Sequence, residues 1–480
     1  MPPVYKSMIA GERTIAGTEE VLAAYDLSPI AVIETSGEAE VEQALATAYS
    51  LYRDRSKWLP VRQRIEILEK TVGLMQQCEE ELALDAAKEG GKPLIDSRVE
   101  VSRAIDSIRI CVECLRHDGG VGIPMGINAA SKGKLAVTTS EPIGVVVAVS
   151  AFNHPLNLIT HQVGPAVATG CPVIVKPANP TPLSCYRFVA ILREAGLPDE
   201  WCQALVTSDN QAAEKLVTDQ RVSFFSFIGS AKVGWMLRSK LAPGTRCALE
   251  HGGAAPVIMT EDADIDEAIP KLLKGGFYHA GQVCVSVQRI FVHRSIAEEL
   301  AKKLSAGASA LTVGDPALAE TQVGPLINPR EVQRVSEWVN EAVSEGAKLL
   351  TGGNQRSETS YECTVLYNPS PESKVSTNEI FGPVICIYPY DDLDQAIAQA
   401  NQLPYAFHAA VFCKNIDTTM YIYKQLDASA VMVNEHTAFR VDWMPFAGLR
   451  ESGLGVGGIP YTFHDMQIQK MLVLDSKALI

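Results

Sequence analysis

The stretch VVVAVSAFNHPLN, residues 145–157, decides the fold class of this chain. It begins as a continuous apolar run, which is typical of a parallel strand buried on both faces of a sheet. The run ends directly in a polar loop that contains Asn153 and His154, and a helical segment follows. Ligand crevices of open α/β sheets form at the carboxyl ends of such strands. The stretch therefore predicts an α/β fold with a polar site just after this strand.

The same alternation of apolar runs and helical stretches recurs along the chain. The further runs are residues 173–175, 204–206, 222–228, 255–259, 289–292, 384–387 and 409–412. This alternation predicts an α/β fold built from two units, one before Glu250 and one after it. Between residues 119 and 139 glycines punctuate short stretches, which indicates a β-hairpin arm.

Composition bounds the class of protein. The chain has 480 residues, of which 47% are hydrophobic and 20% are charged, so we expect a globular protein of at least two domains. The formal net charge of −14 opposes a nucleic-acid partner, which would need a basic face. The N-terminus lacks the pattern of a secretory signal, and the apolar runs are too short to span a bilayer. We therefore expect a cytoplasmic protein with no membrane partner.

The cysteines do not indicate a metal site or a disulfide framework. There are eleven of them, and only Cys111 and Cys114 form a C-x-x-C pair. No second cysteine or histidine pair stands at ligand spacing, so we predict no metal. Reduced thiols in a cytosolic enzyme fit this pattern.

Four further segments carry groups that a buried core would not place there. Lys176 follows the next strand, where it could hold a ribose or a phosphate. Gly229 and Ser230 lead from a strand into a helix, whose free N–H groups favour a phosphate, although this pattern alone is weak and a tight turn with close helix packing is the commoner explanation. Cys284 lies in a glycine-bearing loop, and this position indicates that its thiol is the one most accessible to a ligand. Glu250 precedes a Gly-Gly turn, as either a solvated acid or a general base.

Eight motifs in order resemble those of the aldehyde dehydrogenase superfamily, over essentially the whole chain. They are residues 141–145, 152–155, 176–178, 227–230, 249–253, 281–284, 379–384 and 445–448. The resemblance implies an NAD(P)-dependent, non-phosphorylating enzyme with a Rossmann-like dinucleotide-binding domain, an α/β catalytic domain and an oligomerisation arm. We assign these to residues 1–119 with 140–250, residues 251–444, and residues 120–139 with 462–480. A hairpin with few contacts of its own needs a partner chain, so we expect a homodimer or homotetramer.

The resemblance also implies a mechanism for oxidising an aldehyde to a carboxylic acid. Cys284 would be the nucleophile and would carry first a thiohemiacetal and then a thioester. The side-chain amide of Asn153 and the Cys284 backbone N–H would stabilise the oxyanion. Glu250 would activate the water that hydrolyses the thioester.

The cofactor would be NAD or NADP. The residues that the resemblance assigns to it are Phe152, Lys176, Asn179, Gly229, Ser230, Glu379 and Phe381. Asn179 stands three residues after Lys176, where NAD-preferring members often carry a glutamate that accepts from the 2′-hydroxyl. Asparagine neither accepts strongly nor repels a 2′-phosphate, so both cofactors stay open, with NAD slightly favoured.

A short aldehyde that bears a carboxylate, phosphonate or sulfonate is one hypothesis for the substrate. His161 shares a helix face with Asn157 and Asn153 because the spacings are four residues. In members that act on anionic aldehydes, a basic residue at the position of His161 contributes to the anion site, although a histidine in the core or on the surface is an equal alternative. The other candidates for contact with the substrate are Arg103, Arg109, His436 and Arg440.

Two other functions compete with this interpretation. A CoA-acylating dehydrogenase would cleave the thioester with CoA, but it needs no base such as Glu250. A structural or binding protein could keep the fold without turnover, but the intact set of Cys284, Glu250 and Asn153 argues against this.

Overall fold

The structure is a computed structural model that describes residues 2–12 and 14–479. The helices are α1 (Glu38–Arg53), α2 (Val61–Gln77), α3 (Glu79–Gly90), α4 (Leu94–His117), α5 (Asn157–Thr169), α6 (Leu183–Glu194), α7 (Asn210–Thr218), α8 (Ala231–Arg238), α9 (Ile265–Phe277), α10 (Arg294–Ala310), α11 (Pro329–Ser344), α12 (Lys374–Thr377), α13 (Leu393–Asn401), α14 (Ile416–Gln425) and α15 (Ile459–Asp465).

The strands alternate with these helices through most of the chain. They are β1 (Val4–Tyr5), β2 (Gly17–Leu22), β3 (Pro29–Ser36), β4 (Gly122–Ile123), β5 (Lys134–Pro142), β6 (Val145–Val149), β7 (Val173–Lys176), β8 (Cys202–Ala204), β9 (Val206–Thr207), β10 (Val222–Ile228), β11 (Arg246–Glu250), β12 (Ala255–Met259), β13 (Val287–His293), β14 (Lys348–Thr351), β15 (Thr364–Tyr367), β16 (Val384–Tyr390), β17 (Tyr405–Ala406), β18 (His408–Phe412), β19 (Ala430–Val433), β20 (Leu449–Arg450), β21 (Gly453–Leu454) and β22 (Gln467–Asp475).

The first large sheet has six strands in the order β21-β11-β10-β6-β7-β8. All of its neighbours are parallel except β21, which runs antiparallel to β11. The register pairs Ile228 with Glu250 and Val149 with Lys176. The carboxyl ends of β6, β7, β10 and β11 therefore lie together at one edge, where the sequence predicts the polar site.

The second large sheet has seven strands in the order β14-β15-β16-β13-β12-β18-β19. Its neighbours are parallel apart from β14, which is antiparallel to β15. Its strands carry the apolar runs that begin at residues 255, 289, 384 and 409, and these runs are buried because helices cover the sheet. The predicted α/β fold with parallel sheets is thus confirmed.

Helices α4 and α5 pack together beneath the first sheet and fix the floor of the site. Ile105 and Ile108 of α4 share one buried core with Ile159 and Val163 of α5. This packing brings the face of α4 that carries Arg103 next to the N-terminus of α5.

The segments predicted to form the arm contribute a three-stranded sheet in the order β22-β5-β4. Strand β22 pairs with the whole of β5, from Gln467 opposite Pro142 to Asp475 opposite Lys134. One boundary of the arm differs from the prediction, which begins its C-terminal part at residue 462. Phe463 is buried in the core of the first unit, so α15 packs in that core, and the pairing with β5 begins only at Gln467.

The helices of the described residues show no candidate membrane span. None of them combines the length with the apolar character that a bilayer crossing needs.

Candidate active site

A cavity of about 620 Å³ lies at the shared carboxyl edge of β6, β10 and β11. Residues of the second unit close its other side. The predicted site residues that line it are Arg103, Phe152, Asn153, Asn157, His161, Gly229, Ser230, Glu250, Cys284, Glu379, Phe381 and Arg440. The fold therefore brings most of the predicted site into a single cavity.

The loop that carries Cys284 is held by a close backbone approach and by a buried glutamine. Gly281 has a φ of 71°, and a Cβ there would stand 2.1 Å from the Gly382 carbonyl oxygen, so only glycine fits. The Gln282 side chain donates to the carbonyl oxygens of His279 (3.2 Å) and Pro325 (3.1 Å) and accepts from the Ile327 N–H (3.0 Å). These bonds fix the backbone that leads into Cys284. Sequence reasoning did not single out Gln282.

Asn153 is attached to this same loop. Its Nδ2 donates to the Gln282 carbonyl oxygen at 2.9 Å, and the residue is buried. A carboxamide nitrogen carries two N–H groups, so one more donor is left for a ligand in the cavity. The position of this donor relative to Cys284 is set by a bond to the cysteine's own loop.

The Cys284 thiol faces the cavity in an environment that disfavours the thiolate. Burial raises its pKa to about 12, and the negative charges of Glu379 and then Glu250 add to this effect. The positive charge of Arg440 acts in the opposite direction. In the free protein at neutral pH, Cys284 is therefore a thiol rather than a thiolate.

Glu250 is the last residue of β11, and its side chain enters the cavity. Burial raises the pKa of its carboxyl group, which the Arg440 charge lowers in part. A carboxylate with a raised pKa is a better proton acceptor near neutral pH than an exposed one. The arrangement therefore provides a base in the same cavity as the thiol.

Glu379 has a buried oxygen that the described residues leave without a partner. Oε1 accepts no hydrogen bond in the part of the chain that the structure describes, and burial raises the pKa of the carboxyl group to about 8. Gly252 makes room for it, because a Cβ there would lie 1.7 Å from Oε1. Such an orphaned acceptor fits the hydroxyl groups of a ribose.

The turn at Gly229 and Ser230 is locked to the end of β11. The Gly229 N–H donates to the Glu250 carbonyl oxygen (3.0 Å), and His251 Nδ1 donates to the Gly229 carbonyl oxygen (2.8 Å). Ser230 is the N-cap of α8 but makes no side-chain capping bond. Its hydroxyl and the first N–H groups of α8 can therefore serve an anionic ligand.

Lys176 and Asn179 lie beside the cavity rather than in its lining. Their neighbours Ala178 and Pro180 line it. Lys176 Nζ donates to Asn179 Oδ1 at 2.9 Å, and burial lowers the pKa of the lysine to about 8. The pair stands at the end of β7, next to the strand that leads to Asn153.

The floor of the cavity holds a network centred on Asp442, which sequence reasoning missed. Asp442 accepts from Arg103 Nε (3.0 Å) and Nη2 (2.7 Å) and from Asn157 Nδ2 (3.2 Å). It also lies 2.7 Å from His161 Nε2. Burial alone would raise the pKa of Asp442, but its bonds from His161 and Arg103 hold the pKa well below its ordinary value. Asp442 therefore neutralises the charge of Arg103.

His161 acts in this network as a neutral side chain. Burial lowers its pKa in spite of the neighbouring carboxylate. Nε2–H then donates to Asp442, and Nδ1 lies 3.5 Å from Arg440 Nη2 as an acceptor. The Arg440 guanidinium rests 3.5 Å from the centre of the Phe446 ring. Arg440 forms no ion pair with any of the described residues. It is therefore a cation in the cavity lining that is free to pair with a ligand.

A buried ion pair supports the asparagine loop from below. Lys92 Nζ donates to Glu100 Oε2 and, at 2.7 Å, to His154 Nδ1. Glu100 Oε1 accepts from the N–H groups of Leu156 (2.9 Å) and Asn157 (3.0 Å) at the start of α5. Burial and the Lys92 charge hold the pKa of His154 well below its ordinary value. His154 is therefore neutral with its proton on Nε2, on a ring that lines the cavity.

The sequence matches one family model over most of its length. Residues 12–472 match the model described as the aldehyde dehydrogenase family. The chain belongs to the aldehyde dehydrogenase family. This confirms the predicted family and enzyme class.

Individual members of the aldehyde dehydrogenase family are similar over their whole length. A 3-sulfolactaldehyde dehydrogenase of Priestia aryabhattai is 36% identical, over 98% of this chain and 98% of the relative. The structure of aldehyde dehydrogenase 21 from Physcomitrella patens, in complex with the reaction product succinate, has a TM-score of 0.95 at 32% identity, covering 100% of both chains. Glyceraldehyde-3-phosphate dehydrogenase from Methanocaldococcus jannaschii, complexed with NADP, has a TM-score of 0.91 at 32% identity, over 97% of this chain and 100% of the other. Similar family structures hold NADP or NAD⁺, in agreement with the predicted cofactor.

Two predicted substrate residues of this aldehyde dehydrogenase lie outside the cavity. Arg109 is exposed on α4, because six residues after Arg103 at 3.6 residues per turn face a different direction. His436 packs against Gly275, so closely that a Cβ added to this glycine would lie 2.7 Å from the His436 Cβ. His436 does not line the cavity. Neither is placed to contact a ligand beside Cys284.

Within residues 2–12 and 14–479, no group of three or more histidine, cysteine or acidic side chains is arranged to hold a metal ion.

Proposed function

We propose that this protein oxidises a short anionic aldehyde to its carboxylic acid with NAD(P)⁺, through a thioester on Cys284 that water hydrolyses. The observation that carries the proposal is one cavity that combines a thiol, a carboxamide donor, a buried carboxyl group and an unpaired guanidinium. The test is a panel of carboxylated, phosphonated, sulfonated and neutral aldehydes, each assayed with NAD⁺ and with NADP⁺ by the absorbance of the reduced nicotinamide.

In the first chemical step the Cys284 thiol releases its proton to solvent, and the resulting thiolate attacks the aldehyde carbon, whose C=O bond opens to an oxyanion. The free N–H of Asn153 and the Cys284 backbone N–H donate to the oxygen that becomes negative. A preorganised donor of this kind is typically worth about 2.7–4 kcal/mol in the transition state. Arg440 favours the thiolate that attacks, whereas Glu379 and Glu250 disfavour it.

The cofactor site fits a dinucleotide. Glu379 offers an unpaired acceptor, and Ser230 with the start of α8 offers unpaired donors. Lys176 and Asn179 stand at the far end, and Phe152 packs against Phe381 with ring centres 5.8 Å apart. When bound there, NAD(P)⁺ supplies the acceptor for the hydride that leaves the thiohemiacetal carbon.

Glu250 supports hydrolysis of the thioester rather than transfer to CoA. Water needs a base to attack an acyl carbon, and the buried carboxylate of Glu250 lies in the same cavity. CoA thiolysis requires no such residue. The hydrolytic step is expected to slow as the pH falls through the raised pKa of Glu250, because the protonated form accepts no proton.

An anionic substituent on the aldehyde is supported by the charge balance of the cavity. Asp442 cancels Arg103, which leaves Arg440 to pair with an anion, and His154 Nε2–H adds a neutral donor. The 3-sulfolactaldehyde dehydrogenase and the succinate complex among the similar proteins involve anionic compounds. A carboxylate, sulfonate or phosphonate would match a guanidinium through paired hydrogen bonds.

Arg440→Met is expected to raise the KM for an anionic aldehyde about ten- to hundredfold, because a hydrogen bond to a charged group is worth about 1.5–3 kcal/mol. The KM for a neutral aldehyde of equal length should change little. The kcat should fall for both, since the pKa of Cys284 rises without the Arg440 charge. Arg109→Met, on the exposed face of α4, is the matched control and should leave both substrates unchanged. An equal rise in KM for both aldehydes would rule out an anion site at Arg440.

We propose further that the protein is a cytoplasmic homodimer or homotetramer. Strand β22 exposes consecutive apolar side chains, and the free edge of a short sheet needs a partner to bury it. These side chains are Met471, Leu472, Val473 and Leu474. Sedimentation at micromolar concentration should give a dimer or tetramer, and Leu472→Glu should shift it toward monomer. A wild-type monomer would contradict the proposal.

A further inference from the structure

The end of β7 receives a carboxylate from a distant part of the chain. Asn179 Nδ2 donates to Glu19 Oε2 at 3.3 Å, and Lys176 Nζ donates to Asn179 Oδ1 at 2.9 Å. The three side chains form a row in which a lysine, an amide and a carboxylate follow one another. Glu19 lies in β2, which is 160 residues earlier in the sequence than Asn179.

The backbone that presents Glu19 is well fixed. Strand β2 is antiparallel to β3, with Glu19 opposite Ile33, and β3 is in turn parallel to β9. The Glu19 side chain itself is exposed and so free to meet a ligand. Burial lowers the pKa of Lys176 to about 8, and the charge of Glu19 acts against this. The carboxylate is thus electrostatically coupled to Lys176.

We propose that Glu19 determines the choice between NAD⁺ and NADP⁺ by supplying, from the N-terminal strand, the carboxylate that position 179 lacks. The inference rests on the proposed function, in which Lys176 and Asn179 hold the adenosine ribose. A carboxylate beside the lysine accepts a hydrogen bond from a 2′-hydroxyl. It repels a 2′-phosphate, which carries more than one negative charge near neutral pH. The structure therefore assigns a preference for NAD⁺.

The charge balance of this row explains why a 2′-phosphate gains little there. The row holds one cation and one carboxylate, and Lys176 already donates to Asn179. A phosphate dianion would have to compete for that lysine while standing near Glu19. The neutral 2′-hydroxyl neither competes for Lys176 nor is repelled by Glu19, and it can donate a hydrogen bond to Glu19.

The test is equilibrium binding of NAD⁺ and NADP⁺ to the full-length protein by isothermal titration calorimetry, which needs no turnover. Wild type should bind NAD⁺ more tightly than NADP⁺. Glu19→Gln should lower the Kd for NADP⁺ about two- to fivefold and change the Kd for NAD⁺ far less, the size expected for removing a repulsion that solvent partly screens. Glu20→Gln is the matched control, because neighbouring side chains of a strand point to opposite faces. Glu19→Gln combined with Asn179→Glu should restore the wild-type preference.

The outcomes separate this inference from the proposed function. If wild type prefers NADP⁺, or if Glu19→Gln leaves the ratio of the two Kd values as in wild type, the role of Glu19 is wrong while dinucleotide binding stands. A Glu20→Gln protein that shifts the ratio as much as Glu19→Gln would overturn it too, since a general loss of surface charge would then be the cause. If wild type binds neither nucleotide, this inference and the proposed function both fail.

Discussion

Replacing Cys284 with alanine is expected to lower the rate of aldehyde oxidation by about 10⁴-fold or more, because no other thiol of the described residues lines the cavity. The remaining cavity residues keep their places, since the loop is fixed by Gln282 rather than by the thiol. The dissociation constant for NAD(P)⁺ should therefore stay close to that of wild type. The measurements are initial rates of nicotinamide reduction and calorimetric cofactor binding.

The control for this variant is a thiol outside the cavity. Cys114, on α4, is also only partly buried but does not line the cavity. Cys114→Ala should keep full activity. If Cys284→Ala turned over aldehyde at a rate comparable with that of Cys114→Ala, the covalent mechanism would have to be abandoned.

Glu250→Gln is expected to separate the two halves of the reaction. Glutamine keeps the shape of the side chain but cannot accept the proton of water, so thioester hydrolysis should slow by about 10²–10⁴-fold. The attack by Cys284 and the hydride transfer that precede hydrolysis do not use this base. Removing the Glu250 charge also lowers the pKa of Cys284, which favours attack. Rapid mixing should therefore show a burst of up to one reduced cofactor per active site, followed by slow turnover.

The pH dependence gives an independent check on the same residue. Burial raises the pKa of Glu250 in the folded protein. The carboxylate is the active form, so the wild-type hydrolytic rate should be high above this pKa and fall as the pH drops through it. The slow phase of Glu250→Gln should not show this fall in rate at low pH. The control Glu261→Gln, at an exposed position, should show it as wild type does. Loss of the burst together with the slow phase would show that Glu250 is needed before the thioester forms.

Local sequence patterns were sufficient to predict the central buried strands of the two large sheets, but not the N-terminal sheet β1-β3-β2 or the strands β15 and β19. Continuous apolar runs mark strands because parallel strands are buried on both faces, and the run at 222–228 coincides with β10. The run at 204–206 is less simple, because β8 ends at Ala204 and β9 begins at Val206 to join a different sheet. The chain breaks between β8 and β9 because each strand pairs with a strand distant in sequence, and a local sequence pattern contains no information about such pairing.

The charged floor of the site was beyond sequence reasoning for a similar reason. Asp442 and Arg103 are 339 residues apart and meet only in the fold. Lys92 and Glu100 are both fully buried, although these residue types usually lie on the surface. Glu100 lies in an ordinary amphipathic helix and Lys92 in the short connection between α3 and α4, so the sequence around them does not mark them as internal. The motif residues Cys284 and Asn153 were predictable because glycine, polar side chains and strand ends coincide around them.

The most direct test of the thioester mechanism is the intact mass of Glu250→Gln after one turnover with a reactive anionic aldehyde and NAD(P)⁺. The expected result is an added acyl group, located by peptide mapping on Cys284 and absent when Cys284→Ala is combined with Glu250→Gln. A burst of reduced cofactor with no added mass, or an acyl group on another cysteine, would contradict it.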